Sequence, residues 1–239
     1  MGKLAEALYT IGRVRQTTDT AVLMYSAGGK DSIVLLDMLA SRFKRVVCYY
    51  MYHVLDLDHI RPYLYWAVKR YGNVTVKQIP HPQVSMLLHE GVFCDPQPDV
   101  KILYERDIVE LIKEKEGCEY VFNGTKGADG YMKLMRLKRH LKREGWYQFR
   151  GLVYPLATWV NDDCLQYIRN RKLINPFIYG YGVSKSQGFG IYKDCFDFLM
   201  WEYPQDVAKA LEVFPYASSL LDQKQKKYLE EKTSWRDFE

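Results

Sequence analysis

Seven consecutive residues, Ser26-Ala27-Gly28-Gly29-Lys30-Asp31-Ser32, combine the residue types that hold phosphate. Two adjacent glycines let a backbone approach a ligand closely and supply positive φ where a turn needs it. Lys30 adds a point charge, Ser26 and Ser32 add hydroxyls, and Asp31 is a candidate ligand for Mg²⁺, which binds through one or two carboxylates plus phosphate oxygens. The apolar run Val22-Leu23-Met24-Tyr25 precedes the turn and Ile33-Val34-Leu35-Leu36 follows it. That is a strand, a tight turn and a helix N-terminus, whose dipole and free N–H groups favour an anion. As a plain acid in a helix's first turn, Asp31 would also be favoured by the dipole alone.

Two familiar phosphate loops are excluded. Lys30 is followed by Asp31 and no glycine stands where Gly-x4-Gly-Lys-Ser/Thr requires one, and Gly-x-Gly-x-x-Gly is absent. The pattern Ser-x-Gly-Gly-Lys-Asp-Ser after a strand resembles the PP-loop of the ATP pyrophosphatase (adenine nucleotide alpha-hydrolase-like) superfamily. Within it, residues 20–192 look most like the phosphoadenosine phosphosulfate (PAPS) reductase family, which includes sulfate adenylyltransferase small subunits and DNA-phosphorothioation proteins. Three segments carry that resemblance: Asn123-Gly124-Thr125-Lys126-Gly127-Ala128-Asp129; Tyr154-Pro155-Leu156 with Trp159 and 162–168; and Asn175-Pro176 with the glycine- and tyrosine-rich stretch 179–190.

The resemblance implies an adenine-nucleotide site in which Ser26, Ala27, Gly28, Gly29, Lys30, Asp31 and Ser32 bind the phosphates, Gly124 and Lys185 belong to phosphate-facing loops, and His53 and Asp56 lie where adenosine binds. It implies ATP and Mg²⁺ as cofactors, with Lys30, Asp31, Lys126 and Asp129 as catalytic residues. The sequence departs from the family pattern at three places. Lysines (Lys126 and Lys185) replace two arginines, giving point charges where a bidentate fork is usual. A cysteine pair is missing from the later loop, and no Cys-Gly-x-His tail is present. The departures argue against reductase chemistry. Cys195 as a nucleophile is the weaker reading, since a lone cysteine is ordinarily a small buried hydrophobe. His81, between Pro80 and Pro82, is assigned a structural role, and Trp159 and Tyr167 are assigned to the core.

A second charge feature is separate from the loop. Lys133, Arg136, Lys138, Arg139, Lys142 and Arg143 place six cations within eleven acid-free residues, in a chain whose net charge is only +5. Such a stretch is either a solvated helix face or the seat of a polyanion: a phosphorylated substrate or a nucleic acid bound through 133–143. Trp146 and Tyr147, which follow it, are candidate stacking surfaces.

The elements that must position these groups follow from periodicity. Helices are expected over 4–16, from the loop to about 43, over 61–71, 83–90, 101–116, 131–144 and 161–171, with Asn161 or Asp162 as the last one's N-cap. Strands are expected over 21–25, 45–52, 74–80, 119–123 and 152–156. Alternation of strand and helix predicts an α/β fold: a parallel sheet of about five strands with helices on both faces, and a mostly helical C-terminal region broken at Pro204 and Pro215. The expected division is a nucleotide-binding domain over 1–192 and a helical extension over 193–239. The loops after residues 25, 52, 80 and 123 should then converge outside the carboxyl ends of the strands.

Composition adds bounds. With 48% hydrophobic and 26% charged residues, and no apolar run near ~20 residues, the chain reads as globular, without a membrane span or signal peptide. A cytoplasmic location is expected, and a homodimer is left open. Five scattered cysteines, none in Cys-x-x-Cys spacing, argue against a zinc site and a disulfide framework. The expected activity is cleavage of the α–β bond of ATP with adenylation of an acceptor and release of pyrophosphate. Two alternatives stand beside it: a PAPS or adenylylsulfate reductase, and a nucleic-acid-binding component with a regulatory nucleotide site.

Overall fold

The computed structural model describes residues 2–176 and 189–233. In chain order the elements are α1 (Lys3–Arg15), β1 (Thr20–Tyr25), α2 (Lys30–Ala40), β2 (Arg45–Tyr52), α3 (Arg61–Arg70), β3 (Val74–Pro80), α4 (Pro82–Glu90), α5 (Glu105–Glu116) and β4 (Val121–Phe122). There follow α6 (Tyr131–Glu144), β5 (Gln148–Phe149), β6 (Leu152–Val153), α7 (Asn161–Arg171), α8 (Lys193–Glu202), α9 (Pro204–Val213) and α10 (Gln223–Thr233). Short 3₁₀ turns cover Gly127–Asp129 and Pro215–Leu220.

The strands form one sheet in the order β3-β2-β1-β4-β6-β5. All neighbours run parallel except β5, which pairs antiparallel with β6. The sheet is therefore α/β and mostly parallel, as expected, with one more strand than the alternation predicts. The extra strand comes from a two-residue hairpin whose turn residues Arg150 and Gly151 have φ of 50° and 85°. That pairing of positive φ values is the turn that matches strand twist. A Cβ at Gly151 would sit 2.4 Å from the Glu119 carbonyl oxygen, so only glycine fits there.

Both faces of the central strands are buried, which is why β1 and β2 read as unbroken apolar runs rather than alternating ones. Leu23, Tyr25, Val46, Cys48 and Tyr50 face the larger core with α1, α2 and α7. Val22, Met24, Val47 and Tyr49 face the other side, under Ile108, Val109 and Ile112 of α5. Helix α2 is apolar nearly all round because it is enclosed nearly all round. Near its C-terminal end, buried Asp37 accepts from Tyr71 Oη (2.7 Å), Tyr167 Oη (2.8 Å) and Arg171 Nε (3.0 Å). These bonds tie α2 to the residue after α3 and to α7.

Among the differences from expectation, two boundaries and one cap have a local reason. Helix α5 begins at Glu105, not near 101, because Asp107 reaches back to the Tyr104 N–H (2.9 Å) while the Leu103 N–H is held by Ser85 Oγ (2.9 Å). Helix α7 begins after Val160, whose N–H is taken by Asp163 Oδ2 at 2.7 Å; Asn161 and Asp162 are inside the first turn rather than capping it. Strand β4 spans two residues, since Val121 and Phe122 alone pair with β6 and only Phe122 also pairs with β1.

The C-terminal helices share the larger core, through Cys195, Phe196, Leu199, Met200, Val207 and Phe214. Buried Asp206 on α9 accepts from Asp58 N (2.7 Å), His59 N (2.9 Å) and His59 Nδ1 (2.7 Å), fixing α9 to the segment after β2. Among the described residues no helix is long and apolar enough to cross a membrane.

Candidate nucleotide site

Strand order reverses between β1 and β4, because β2 and β3 extend to one side of β1 while β4 and β6 extend to the other. In open α/β sheets the crevice outside that reversal is where ligands bind. A cleft of about 470 Å³ lies there, lined among others by Met24, Ser26, Asp31, His81, Glu105, Asn123, Asp129 and Lys133. The volume suits a small organic ligand.

The loop after β1 is built differently from the glycine argument. The positive φ falls on Ala27 (54°), while Gly29 sits at φ −74°, ψ 127° as the N-cap of α2. What Gly29 supplies is space: a Cβ there would lie 2.3 Å from Ser26 Oγ. Ser32 uses its hydroxyl proton on the Gly29 carbonyl (3.0 Å), so Ser26 donates in the 3.0 Å contact between Ser26 Oγ and Ser32 Oγ. The two hydroxyls therefore bind each other across the loop mouth. No side chain caps α2, as expected for a helix N-terminus left to an anion.

The turn after β4 meets this loop directly. Gly124 passes over the first turn of α2, where its Cβ would stand 3.2 Å from Asp31 Cβ. Lys126, fully buried, places Nζ 2.5 Å from Asp31 Oδ2 and 3.0 Å from Asp129 Oδ1. Lys30, 4% exposed, places its Nζ 3.5 Å from the same Asp31 oxygen. Burial pulls the Lys126 ammonium down, but Asp31 and Asp129 outweigh it and hold its pKa above the usual value. Burial likewise pushes Asp129 up, and the N–H and charge of Lys126 outweigh it, holding that carboxyl below its usual range. Asp129 is thus an ionised acceptor at neutral pH, suited to orient a group rather than to take a proton. Cys164 is buried against this cluster, and burial with the Asp31 charge pushes its thiol up, which makes it inert.

Asp31 has a further property. Its Oδ1 is buried and accepts no hydrogen bond. A buried carboxylate oxygen without a donor is costly and calls for a cation or a donor beside it. Among the described residues around the cleft, the charges of Asp31, Glu105 and Asp129 balance those of Lys30, Lys126 and Lys133, so these residues offer a polyphosphate no net positive charge. Both observations fit Mg²⁺ held by Asp31. Among the described residues no group of three or more His, Cys, Asp or Glu forms a self-sufficient metal site.

The other expected site residues separate into two groups. His53 stands at the end of β2 beside the cleft and stacks on His81 (centroids 4.5 Å apart, planes 17° apart). His53 also hydrogen-bonds Gln83 Oε1 through Nε2 at 3.1 Å. Burial lowers the His53 pKa, and burial with the neighbouring His53 lowers His81 to about 4. His81 Nδ1 accepts from Gln83 N at 3.1 Å, which assigns the neutral Nε2–H tautomer. Asp56 is elsewhere: exposed, at φ 56°, it pairs with Arg61 (3.0 Å) and does not line the cleft. Lys185 and residues 179–188 of the glycine- and tyrosine-rich stretch lie outside the described residues. Cys195 is buried in the larger core. Trp146 is also buried, under the Arg13 guanidinium (4.8 Å), so it presents no stacking face.

Sequence reasoning missed three lining residues. His81 and Asn123 follow directly on β3 and β4, at the strand ends expected to converge, so position alone could have selected them. Glu105 carries no such signal; it arrives as the first residue of α5, 3.5 Å from Asn123 Nδ2.

Fold and site together define a doubly wound α/β protein with a glycine-turn cleft at its switch point. No protein-family model matches the chain, and no curated protein matches it. Among solved structures it is similar to the U34-tRNA thiolase NcsA from Methanococcus maripaludis with its 4Fe-4S cluster (17% identity, TM-score 0.48, covering 91% of this chain and 77% of that one). It is also similar to the NH3-dependent NAD synthetase from Campylobacter jejuni in complex with the nitrate ion (11%, TM-score 0.49, 100% and 96%). A third is the NAD+ synthetase from Burkholderia pseudomallei (17%, TM-score 0.46, 92% and 88%). At these identities and scores the likeness assigns no ligand or reaction to this chain.

Proposed function

We propose that this chain is a PP-loop enzyme that binds ATP in the switch-point cleft and cleaves its α–β bond to adenylate an acceptor. One observation carries the reading. The 26–32 turn and the 123–129 turn, which the sequence matches separately to nucleotide-phosphate segments, are joined in space by the Asp31–Lys126–Asp129 ion-pair chain.

In the reaction an acceptor oxygen forms a bond to the α-phosphorus while the bond from that phosphorus to the α–β bridging oxygen breaks. Pyrophosphate leaves with the electron pair, and any acceptor proton passes to water. Such a transfer needs positioning and charge stabilisation more than a covalent nucleophile. The N-terminus of α2 with Ser26 and Ser32 holds the leaving pyrophosphate, and the Ser26–Ser32 hydrogen bond opens to donate to it. Lys126, buried and held charged between two carboxylates, positions Asp31 and Asp129 beneath the loop, and ionised Asp129 orients the acceptor. Asp31 would hold Mg²⁺, which would add positive charge beside the phosphates.

One of the three segments behind the finer placement near the PAPS reductase family is 154–168. Tyr154, Leu156, Trp159, Cys164 and Ile168 of that segment are buried, so what it matches is packing rather than chemistry. The burial of Cys195 speaks against thiol-based reduction in its described position.

Incubation with ATP labelled at the α-phosphate, Mg²⁺ and candidate acceptors tests the proposal. AMP, free or joined to the acceptor, together with pyrophosphate is the expected product set; ADP with phosphate overturns it. Lys30→Ala is expected to abolish ATP binding while the circular dichroism spectrum stays native, and unchanged binding would remove the site assignment.

A further inference from the structure

Helix α6 turns Leu137 and His140 into the protein and leaves Lys133, Arg136, Lys138, Arg139, Lys142 and Arg143 exposed. Only two of these cations have a carboxylate within 4.0 Å among the described residues: Lys133 with Asp129 (4.0 Å) and Arg143 with Glu144 (3.2 Å). A helix face that is merely solvated intersperses both signs of charge, and this one has no acid before Glu144. Apolar groups are exposed among the cations: Tyr131 at 72%, Met132 at 78% and Met135 at 42%. A groove of about 260 Å³ runs between them, lined by Met132, Lys133, Met135, Arg136 and Arg139. Lys133 lines this groove and the switch-point cleft alike, so the two are neighbours.

The ligand of such a groove carries repeated negative charge, has flat or apolar surface between the charges, and is thin enough to pass from the groove into the cleft. A membrane surface fits poorly, because a helix lying on lipid presents an unbroken apolar stripe outward, and here cations interrupt it at every turn. A nucleic-acid strand has all three properties. The 14 residues of α6 rise about 21 Å, the length of about six phosphates of one strand.

We propose that α6 is the docking surface for the acceptor, and that the acceptor is a nucleic acid. Its phosphates lie on Arg136, Arg139 and their neighbours, its bases and sugars lie against Tyr131, Met132 and Met135, and Lys133 leads the strand into the cleft. The reactive-site half of this statement rests on the ATP reading above; the docking half does not.

Fluorescence anisotropy with a short labelled oligonucleotide, as single-stranded RNA, single-stranded DNA and duplex, tests it on the full chain without ATP. Binding of at least one form, weakening linearly in log–log plots against salt, is expected. R136E/R139E should weaken it by at least about tenfold and flatten the single-strand slope by about 1.4, while ATP binding is retained. Tyr131→Ala should weaken binding at an unchanged slope, since it removes stacking and no charge. If R136E/R139E does not fold, the neutralising pair R136Q/R139Q in the same groove serves in its place. Equal affinity of wild type and charge-reversed protein overturns the proposal, as does tighter binding to phosphatidylserine vesicles than to any oligonucleotide. Oligonucleotide binding without ATP turnover would sink the adenylation reading alone; ATP turnover without oligonucleotide binding would sink the docking surface alone.

Discussion

Lys126 donates to Asp31 across 2.5 Å, tying the turn after β4 to the first turn of α2. Ninety-five residues separate the two in sequence. The bond closes the floor of the cleft where the sheet changes direction, and it makes the two loops one structure.

Removing Lys126 leaves two carboxylates without their shared cation. Lys126→Ala should destabilise the fold by about 3 kcal/mol, the scale for breaking one partner of a buried ion pair. Urea unfolding measures it. Adding Asp31→Asn to Lys126→Ala should recover part of the loss, and strict additivity of the two substitutions would show that the pair is not coupled.

Gly29→Ala separates binding from folding. The backbone at Gly29 lies in a region open to alanine, so the fold should lose less than about 1 kcal/mol. The new methyl meets Ser26 Oγ, which must rotate away from Ser32 and from the loop mouth. ATP affinity measured calorimetrically should fall by about tenfold or more, the equivalent of one charge-assisted hydrogen bond. Wild-type affinity would show that the Ser26 hydroxyl does not face the ligand.

The His53–His81 stack gives an acid signature. His81 has an unfolded pKa near 6.5 and a folded value of about 4. Between those values the unfolded chain binds the extra proton, so stability falls as pH drops from about 6.5 to about 4. His81→Gln should flatten that part of the stability–pH curve. A curve identical to that of the wild type would remove the assignment.

Asp206 gives a second loss of stability on acidification, from a carboxylate and in a lower pH window. Burial pushes its carboxyl up, but the His59 side chain and the backbone N–H groups of His59 and Asp58 outweigh this and hold it below the usual range. Its contribution is present above the unfolded carboxylate pKa and is lost as pH falls through the lower folded value. Asp206→Ala removes the acceptor shared by three donors and should cost about 3–5 kcal/mol, with release of α9 seen as new protease cleavage in 204–213. Unchanged protease resistance would show that apolar packing alone holds α9.

How much was readable depended on whether the signal was local. The strand, turn and helix over 20–40 could be read because each residue there agrees with its neighbours on one conformation, and β2 and β3 for the same reason. The hairpin at Arg150-Gly151 gives no periodic signal, since its strands, Gln148-Phe149 and Leu152-Val153, are two residues each and leave no alternation to see. Strand-end position brings His81 to the cleft but does not exclude Asp56 from it. Both follow a strand, and only the path of the chain beyond them decides that one pairs with Arg61 in solvent while the other lines the cleft. The Asp31–Lys126 bond was equally hidden, because it depends on β4 lying beside β1.

Asp37 gives α2 a fixed end. Three hydrogen bonds from two other helical regions stop that helix from sliding along its axis or turning about it, and its other end is the floor on which a phosphate would rest. A ligand arriving at the 26–32 turn therefore meets a wall that does not recoil. The free energy of contact goes into holding the ligand rather than into ordering the protein. Loosening the far end of the helix, as Tyr167→Phe with Tyr71→Phe would, should be felt at the near end as weaker affinity without the loss of a single touching atom.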